Sequence, residues 1–168
     1  MLRFLWIPLL VFGSLAHGQQ GFKLGLHGGL PLGREANDAV SLVAGVDAGY
    51  HLALGEVVDA GVMTGYILGF PEKFDAGGAN LPHVQFLPLA ISVRFWMTNS
   101  FCLGGDAGRA FGLNSGNEGG FYYRPMVGYL MGPQTAVTLS YTGIDSENLP
   151  WETLNLGVVY TFPRDIRR

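Results

Sequence analysis

The sequence predicts an all-β fold: an eight-stranded antiparallel up-and-down transmembrane β-barrel that follows an N-terminal signal peptide. Three observations support this prediction. Bulky apolar residues alternate with small or polar ones with a period of two, the connections alternate in length, and the bulky face is too large to fill a narrow lumen. The chain has 168 residues, of which 48% are hydrophobic and 14% charged, as expected for one domain with a surplus of apolar surface.

The N-terminal residues have the pattern of a cleaved secretory signal peptide. One cation at Arg3 precedes an apolar run over 4–12, and small residues occupy positions 16 and 18. We therefore expect a signal peptide at 1–18, an outer-membrane β-barrel domain at 19–162 and a short periplasmic tail at 163–168. Without Arg3, nine of the ten Lys and Arg residues remain, against 13 Asp and Glu residues. This excess of negative charge argues against nucleic acid as a partner.

Any membrane span must be formed by strands, since no later window has the roughly 20 apolar residues of a membrane helix. Cys102 has no second cysteine for an internal disulfide.

Apolar residues alternate with small or polar ones in eight segments, each of which is a predicted strand: 22–32, 40–51, 58–66, 83–97, 101–111, 121–131, 135–141 and 151–162. Four connections are long and three are short, as in barrels with long outer loops and short periplasmic turns. The long ones are 33–39, 71–81, 112–120 and 143–150, and the short ones are 52–56, 98–100 and 132–134.

The volumes of the two faces predict that the bulky one points outward into lipid and the Gly-rich one inward, with Arg109 as an exception on the apolar face. A soluble β-sandwich or a lipocalin-like barrel is the alternative, but the sequence lacks the charged outer face that either requires. Aromatic residues near strand ends predict two interfacial girdles. They are Tyr50, Tyr66, Phe70, Trp96, Phe101, Phe111, Phe121, Tyr123, Tyr141, Trp151, Tyr160 and Phe162.

Three segments resemble a known family. Residues 84–95, which contain Leu87-Pro88-Leu89, look like the Leu-Pro-Leu strand of the small outer-membrane β-barrel domain family related to PorT-like proteins. Residues 102–108 resemble the Gly-rich strand that follows it, and 156–162 the closing strand with its terminal aromatic, although six residues follow Phe162 here. The resemblance implies a location in the cell outer membrane and insertion by the barrel-assembly machinery, and it implies no catalytic residue.

The predicted inward face carries eight titratable side chains of both signs: Lys23, His27, Asp47, His51, Asp59, Arg94, Asp106 and Arg124. Both signs in a narrow lumen predict a salt-bridged plug, with a gated polar path for small solutes as the alternative. His27, Asp47 and His51 could approach one another and imitate a metal site or part of a hydrolase triad. Because spacing supplies no third ligand and no nucleophile, we predict no metal, no cofactor and no catalytic residue.

The predicted function is that of an integral outer-membrane protein, not an enzyme, with a structural or interaction role through its outer loops. A narrow porin-like channel is one alternative. A lipid A-modifying enzyme is another, for which Ser140 and Tyr141 are the nearest nucleophile environment, although no histidine occurs after His83. The expected partners are outer-membrane lipid, the barrel-assembly machinery and an extracellular ligand at the loops, for a chain that stays a monomer.

The outer loops have an acidic bias that could attract a cation. The residues that give them this character are Glu72, Asp75, Asn114, Asn117, Glu118, Asp145, Glu147 and Asn148.

Overall fold

The computed structural model describes residues 20–32, 40–71, 83–146 and 151–163. They form eight strands: β1 Gly21–Pro31, β2 Val40–Ala53, β3 Val58–Pro71, β4 Val84–Trp96, β5 Phe101–Gly112, β6 Gly120–Leu130, β7 Thr135–Asp145 and β8 Trp151–Pro163. Each strand pairs with the next in antiparallel fashion, and β1 also pairs with β8. The predicted closed eight-stranded barrel is therefore confirmed.

Among the described residues there is no helix long and apolar enough to cross a membrane.

The two ends of the barrel differ. At the turn end, β2–β3, β4–β5 and β6–β7 are joined by the four-residue connections 54–57, 97–100 and 131–134, and both termini of the barrel lie there. At the loop end, β5 and β6 are joined by 113–119, and residues 33–39, 72–82 and 147–150 of the other three connections lie outside the described residues. The predicted signal peptide at 1–18 and residues 164–168 of the predicted tail also lie outside them.

Two strands are longer than the sequence predicts at the loop end. β3 continues to Pro71 instead of ending near Tyr66, and β7 continues to Asp145 instead of ending at Tyr141. Glycines interrupt the apolar alternation in both extensions, yet Gly69 and Gly143 remain paired with neighbouring strands. Backbone pairing therefore extends beyond the point where the side-chain pattern fades.

The outer wall is apolar at mid-height, as predicted. Leu26, Ile91 and Leu156 lie near the middles of their strands, and 66%, 65% and 63% of their surfaces are exposed. Monomeric proteins in water rarely expose a continuous apolar surface of this kind. The wall is therefore suited to contact with lipid.

Three large residues that the sequence analysis assigned to the outward face or to the aromatic girdles point inward instead. Val40 is fully buried because a register shift between Val40 and Leu42 reverses the direction of its side chain. Trp96 and Trp151, which were assigned to the aromatic girdles, are buried in the lumen. The prediction that bulky residues all point outward was therefore wrong at these positions, because inward glycines leave room for large side chains.

An apolar cluster fills the loop-end half of the lumen. Phe86 and Trp151 make an edge-to-face contact with ring centroids 5.3 Å apart, and both are fully buried. A Cβ on Gly69 would lie 2.5 Å from the Trp151 ring, so this position must stay small for the indole to fit. We call this group the apolar plug; its buried members are Val40, Val43, Met63, Ile67, Phe86, Ala90, Ala110, Tyr122, Ile144 and Trp151.

Candidate functional site

The middle of the lumen is occupied by an ionic network that begins at Arg124 on β6. Its guanidinium donates to Asp47 Oδ2 at 2.7 Å and to Asp106 Oδ2 at 2.8 Å. Arg94 donates to Asp106 Oδ1 at 2.9 Å, and His27 Nδ1 lies 3.1 Å from Asp47 Oδ2. The three bonds donated by Arg124 and Arg94 have the lengths of charge-assisted hydrogen bonds. The predicted salt-bridged plug is therefore present, and Arg124 is its centre.

The remaining three predicted lumen residues lie nearer the turn end. Asp59 is fully buried, accepts a hydrogen bond from Trp96 Nε1 at 2.7 Å, and lies 3.8 Å from Lys23 Nζ. His51 Nε2 lies 2.7 Å from Ser92 Oγ. All eight predicted lumen side chains therefore contact a polar partner within the barrel.

Glycines on the neighbouring strand provide the space for these side chains. A Cβ on Gly45 would overlap the His27 ring, and one on Gly65 would lie 2.7 Å from Asp47 Oδ1. In each case the glycine is the residue paired with the large one across the ladder. Such pairs include His27 with Gly45, Asp47 with Gly65, Arg94 with Gly104, Cys102 with Gly128, and Asn155 with Gly29.

The histidines do not assemble the metal site or triad that the sequence left open. His27 meets Asp47, but His51 bonds Ser92 instead of joining that pair. No group of three His, Cys, Asp or Glu side chains that could hold a metal ion occurs in the described part of the chain. Ser92 is fully buried within the filled lumen, so its contact with His51 is a structural hydrogen bond.

The lumen retains a small cavity in its middle and turn-end half. It has a volume of about 60 Å³, and its lining includes Lys23, Asp47, His51, Cys102 and Thr138. This volume suits a few water molecules. Asp47 Oδ1 and His51 Nδ1 have no protein hydrogen-bond partner, so water in the cavity would satisfy them.

Ser140 lies in the lumen and is buried, whereas Tyr141, the next residue, has its ring against Tyr123. Ser140, which with Tyr141 was the nearest nucleophile environment in the sequence, is therefore not on the lipid-facing wall. A serine hydroxyl inside the lumen cannot contact a lipid on the outer surface.

Sequence reasoning missed the polar interior near β8. Asn155 is buried and donates to Thr142 Oγ1 and Thr153 Oγ1, both at 3.0 Å. The alternation of β8 places Asn155 on the inward face, so the sequence contained the signal that would have found it.

At the loop end, the 113–119 connection is fixed by Asn117. Its side chain donates to Gln85 O at 3.2 Å and accepts from Gly119 N at 3.1 Å. Asn117 therefore holds the loop, while Glu118 is exposed to solvent. A pocket of about 370 Å³ lies beside this connection, and we call it the loop-end pocket. Its lining includes Arg109, Glu118, Gly119, Phe121, Asp145 and Ser146.

No family model matches the chain, and no curated protein matches it in sequence. Three solved structures illustrate its fold similarity. The outer membrane protein Ail of Yersinia pestis, in a phospholipid bilayer nanodisc, has a TM-score of 0.59 and 14% identity over 86% of this chain and 100% of that one. The N-terminal β-barrel domain of Pseudomonas aeruginosa OprF has a TM-score of 0.56 and 18% identity over 87% of this chain and all of that one. A de novo designed transmembrane β-barrel has a TM-score of 0.55 and 11% identity over 88% and 100%.

At these identities the likeness shows a shared fold. A designed barrel is as similar as the natural ones, so function must be argued from this chain's own residues.

Proposed function

We propose that this chain is an integral protein of the cell outer membrane without enzymatic activity, with a structural or interaction role at its loop end. The observation that carries the proposal is the filled lumen. The apolar plug around Trp151 occupies the loop-end half, and the network around Arg124 crosses the middle. Because the lumen is filled in its loop-end half and across its middle, it offers solutes no path through the barrel. We therefore assign the function to the outer surface and the loops.

The membrane location is supported by the outer wall. Residues such as Leu26, Ile91 and Leu156 expose apolar surface at mid-height, and closure of the sheet satisfies the backbone without an open edge. The fold shared with outer-membrane barrels agrees with this location. Lipid is therefore the expected partner of the wall, and the absence of an edge strand favours a monomer.

A relationship to PorT-like barrels and insertion by the barrel-assembly machinery remain part of the proposal. The Leu-Pro-Leu segment supports it: Leu87 and Leu89 point outward, while Pro88 is buried and its carbonyl accepts a hydrogen bond from Thr64 at 2.9 Å. The closing strand brings the exposed Phe162 to the turn end, where a C-terminal aromatic signal is expected.

The first test is heat modifiability of the mature protein in detergent, together with circular dichroism. A closed transmembrane barrel is expected to give a strand-rich spectrum and to change its gel mobility on boiling. A water-soluble protein with no mobility change would contradict the membrane assignment.

The second test determines which end faces outward. In a Cys102→Ser background, we expect Ser115→Cys in the 113–119 connection to react with a membrane-impermeant maleimide on intact cells. Asn99→Cys, at the turn end, is the matched control and should react only after permeabilisation. Labelling of Asn99→Cys but not of Ser115→Cys on intact cells would show that the loop end faces inward.

A further inference from the structure

The loop-end pocket carries charges that the network in the lumen does not use. We propose that it binds a zwitterionic group of the phosphoethanolamine class, with the phosphate on Arg109 and the ammonium on Asp145 and Glu118. The inference rests on the proposed function and deepens it, because it places the interaction at one pocket and names the chemistry of its ligand.

The strand register places the opposite charges on either side of an aromatic ring. Arg109 on β5 pairs with Phe121 on β6, which pairs with Asp145 on β7, and all three residues are exposed on the outer wall. Adjacent strands lie about 4.8 Å apart, so the backbones of Arg109 and Asp145 are about 10 Å apart. The long side chain of Arg109 and the carboxylate of Asp145, at that spacing, can hold the two ends of a short dipolar group.

These charges do not neutralise one another. Within the described residues, Arg109, Glu118 and Asp145 form no salt bridge within 4.0 Å, although all three line the same pocket. The Arg109 guanidinium instead lies 5.8 Å from the centre of the Phe111 ring. The pocket therefore presents a cation and two carboxylates that are separated in space. A purely anionic group would be repelled by the carboxylates, and a purely cationic group by Arg109.

The Phe121 ring lies between the opposite charges of the pocket and suits the ammonium end of such a ligand. Phe121 is 56% exposed and stacks on Tyr123, with centroids 6.2 Å apart, within the aromatic girdle at the loop end. An aromatic face attracts an ammonium group, and the girdle marks the depth at which headgroups lie. A volume of about 370 Å³ is sufficient for a headgroup.

The test uses the folded barrel in a detergent that lacks phosphate and amine groups. Calorimetric titration measures binding of O-phosphoethanolamine, of short-chain phosphatidylethanolamine, and of short-chain phosphatidylglycerol, which keeps the phosphate but lacks the ammonium. Arg109→Gln and Asp145→Asn each remove one charge from the pocket. Glu152→Gln is the matched control, because Glu152 is an exposed carboxylate of β8 outside the pocket. The heat-modifiable gel band establishes that each variant is folded.

We expect the ethanolamine lipid to bind at least tenfold more tightly than the glycerol lipid. Arg109→Gln and Asp145→Asn should each weaken binding about tenfold, the effect of losing a hydrogen bond to a charged group, and Glu152→Gln should change nothing. Equal affinity of O-phosphoethanolamine and the ethanolamine lipid supports a soluble ligand, and tighter binding of the lipid supports a membrane one; both fit the pocket.

Absence of binding by a heat-modifiable barrel overturns the inference, as do equal affinities for the two lipids or unchanged binding in both pocket variants. Failure of the wild-type protein to form a heat-modifiable barrel would instead overturn the proposed function.

Discussion

Replacing Arg124 with Met should produce the largest loss of stability of any single change in the lumen network. Arg124 is buried and donates to two carboxylates on different strands, Asp47 at 2.7 Å and Asp106 at 2.8 Å. Methionine fills a similar volume but leaves both acids without this donor. Removing one member of a buried ionic network costs about 3–5 kcal/mol. We expect about 3 kcal/mol, because Asp106 keeps Arg94 and Asp47 keeps His27.

The free energy of unfolding is measured by urea titration of the protein in lipid vesicles, with the folded fraction read from the heat-modifiable band. Glu56→Gln, which removes an exposed charge in the β2–β3 turn, is the control and should stay within about 0.5 kcal/mol of wild type. The double variant Arg124→Met/Asp47→Asn should lose at least about 0.5 kcal/mol less than the sum of the single variants, because the two residues are in contact. An Arg124→Met variant as stable as Glu56→Gln would refute the reasoning.

Three further predictions concern the glycines, the wall and the lumen. Gly45→Ala should cost about 1–3 kcal/mol, because its Cβ overlaps the His27 ring. Gly28→Ala, whose Cβ would have its nearest neighbour at 3.7 Å, should be near neutral, and equal urea midpoints for the two variants would contradict the overlap. Ile91→Arg at mid-height should cost about 2–4 kcal/mol in vesicles and Leu54→Arg at the turn end about 0–1, so equal costs would contradict the wall assignment. Finally, the wild-type barrel should give no unitary conductance in planar bilayers, and stable conductance steps would show that the lumen is open.

The fold was predictable because a barrel wall repeats one simple rule. Every strand alternates between lipid and lumen, so a two-residue period over eight segments fixes both the strand count and the inward set. The same parity placed all eight titratable lumen residues correctly. It failed at Val40, since a register shift in β2 is a backbone irregularity that side-chain alternation does not record.

The partners within the lumen were not predictable in the same way. Arg124 on β6 bonds Asp47 on β2, and these strands are not neighbours in the sheet. Such a contact depends on the diameter of the barrel and the reach of the side chain, neither of which the spacing in the sequence contains. Trp151 was assigned to a girdle because its position at the start of β8 suits an interface, although it lies on the same face of the strand as Asn155. Its ring fits inside the barrel because Gly69 leaves the space for it.

The glycines of the inward face explain how an eight-stranded barrel holds both an ionic network and an apolar plug. A glycine opposite a large residue leaves space for that side chain, so the glycines of the inward face complement the large side chains on neighbouring strands. His27 over Gly45 and Arg94 over Gly104 show this in the network, and Trp151 over Gly69 shows it in the plug. Because the apolar plug and the ionic network fill most of the interior, changes to them should alter stability, whereas changes at Arg109 and Asp145 should alter binding. Measuring both quantities on both sets of variants separates the two roles.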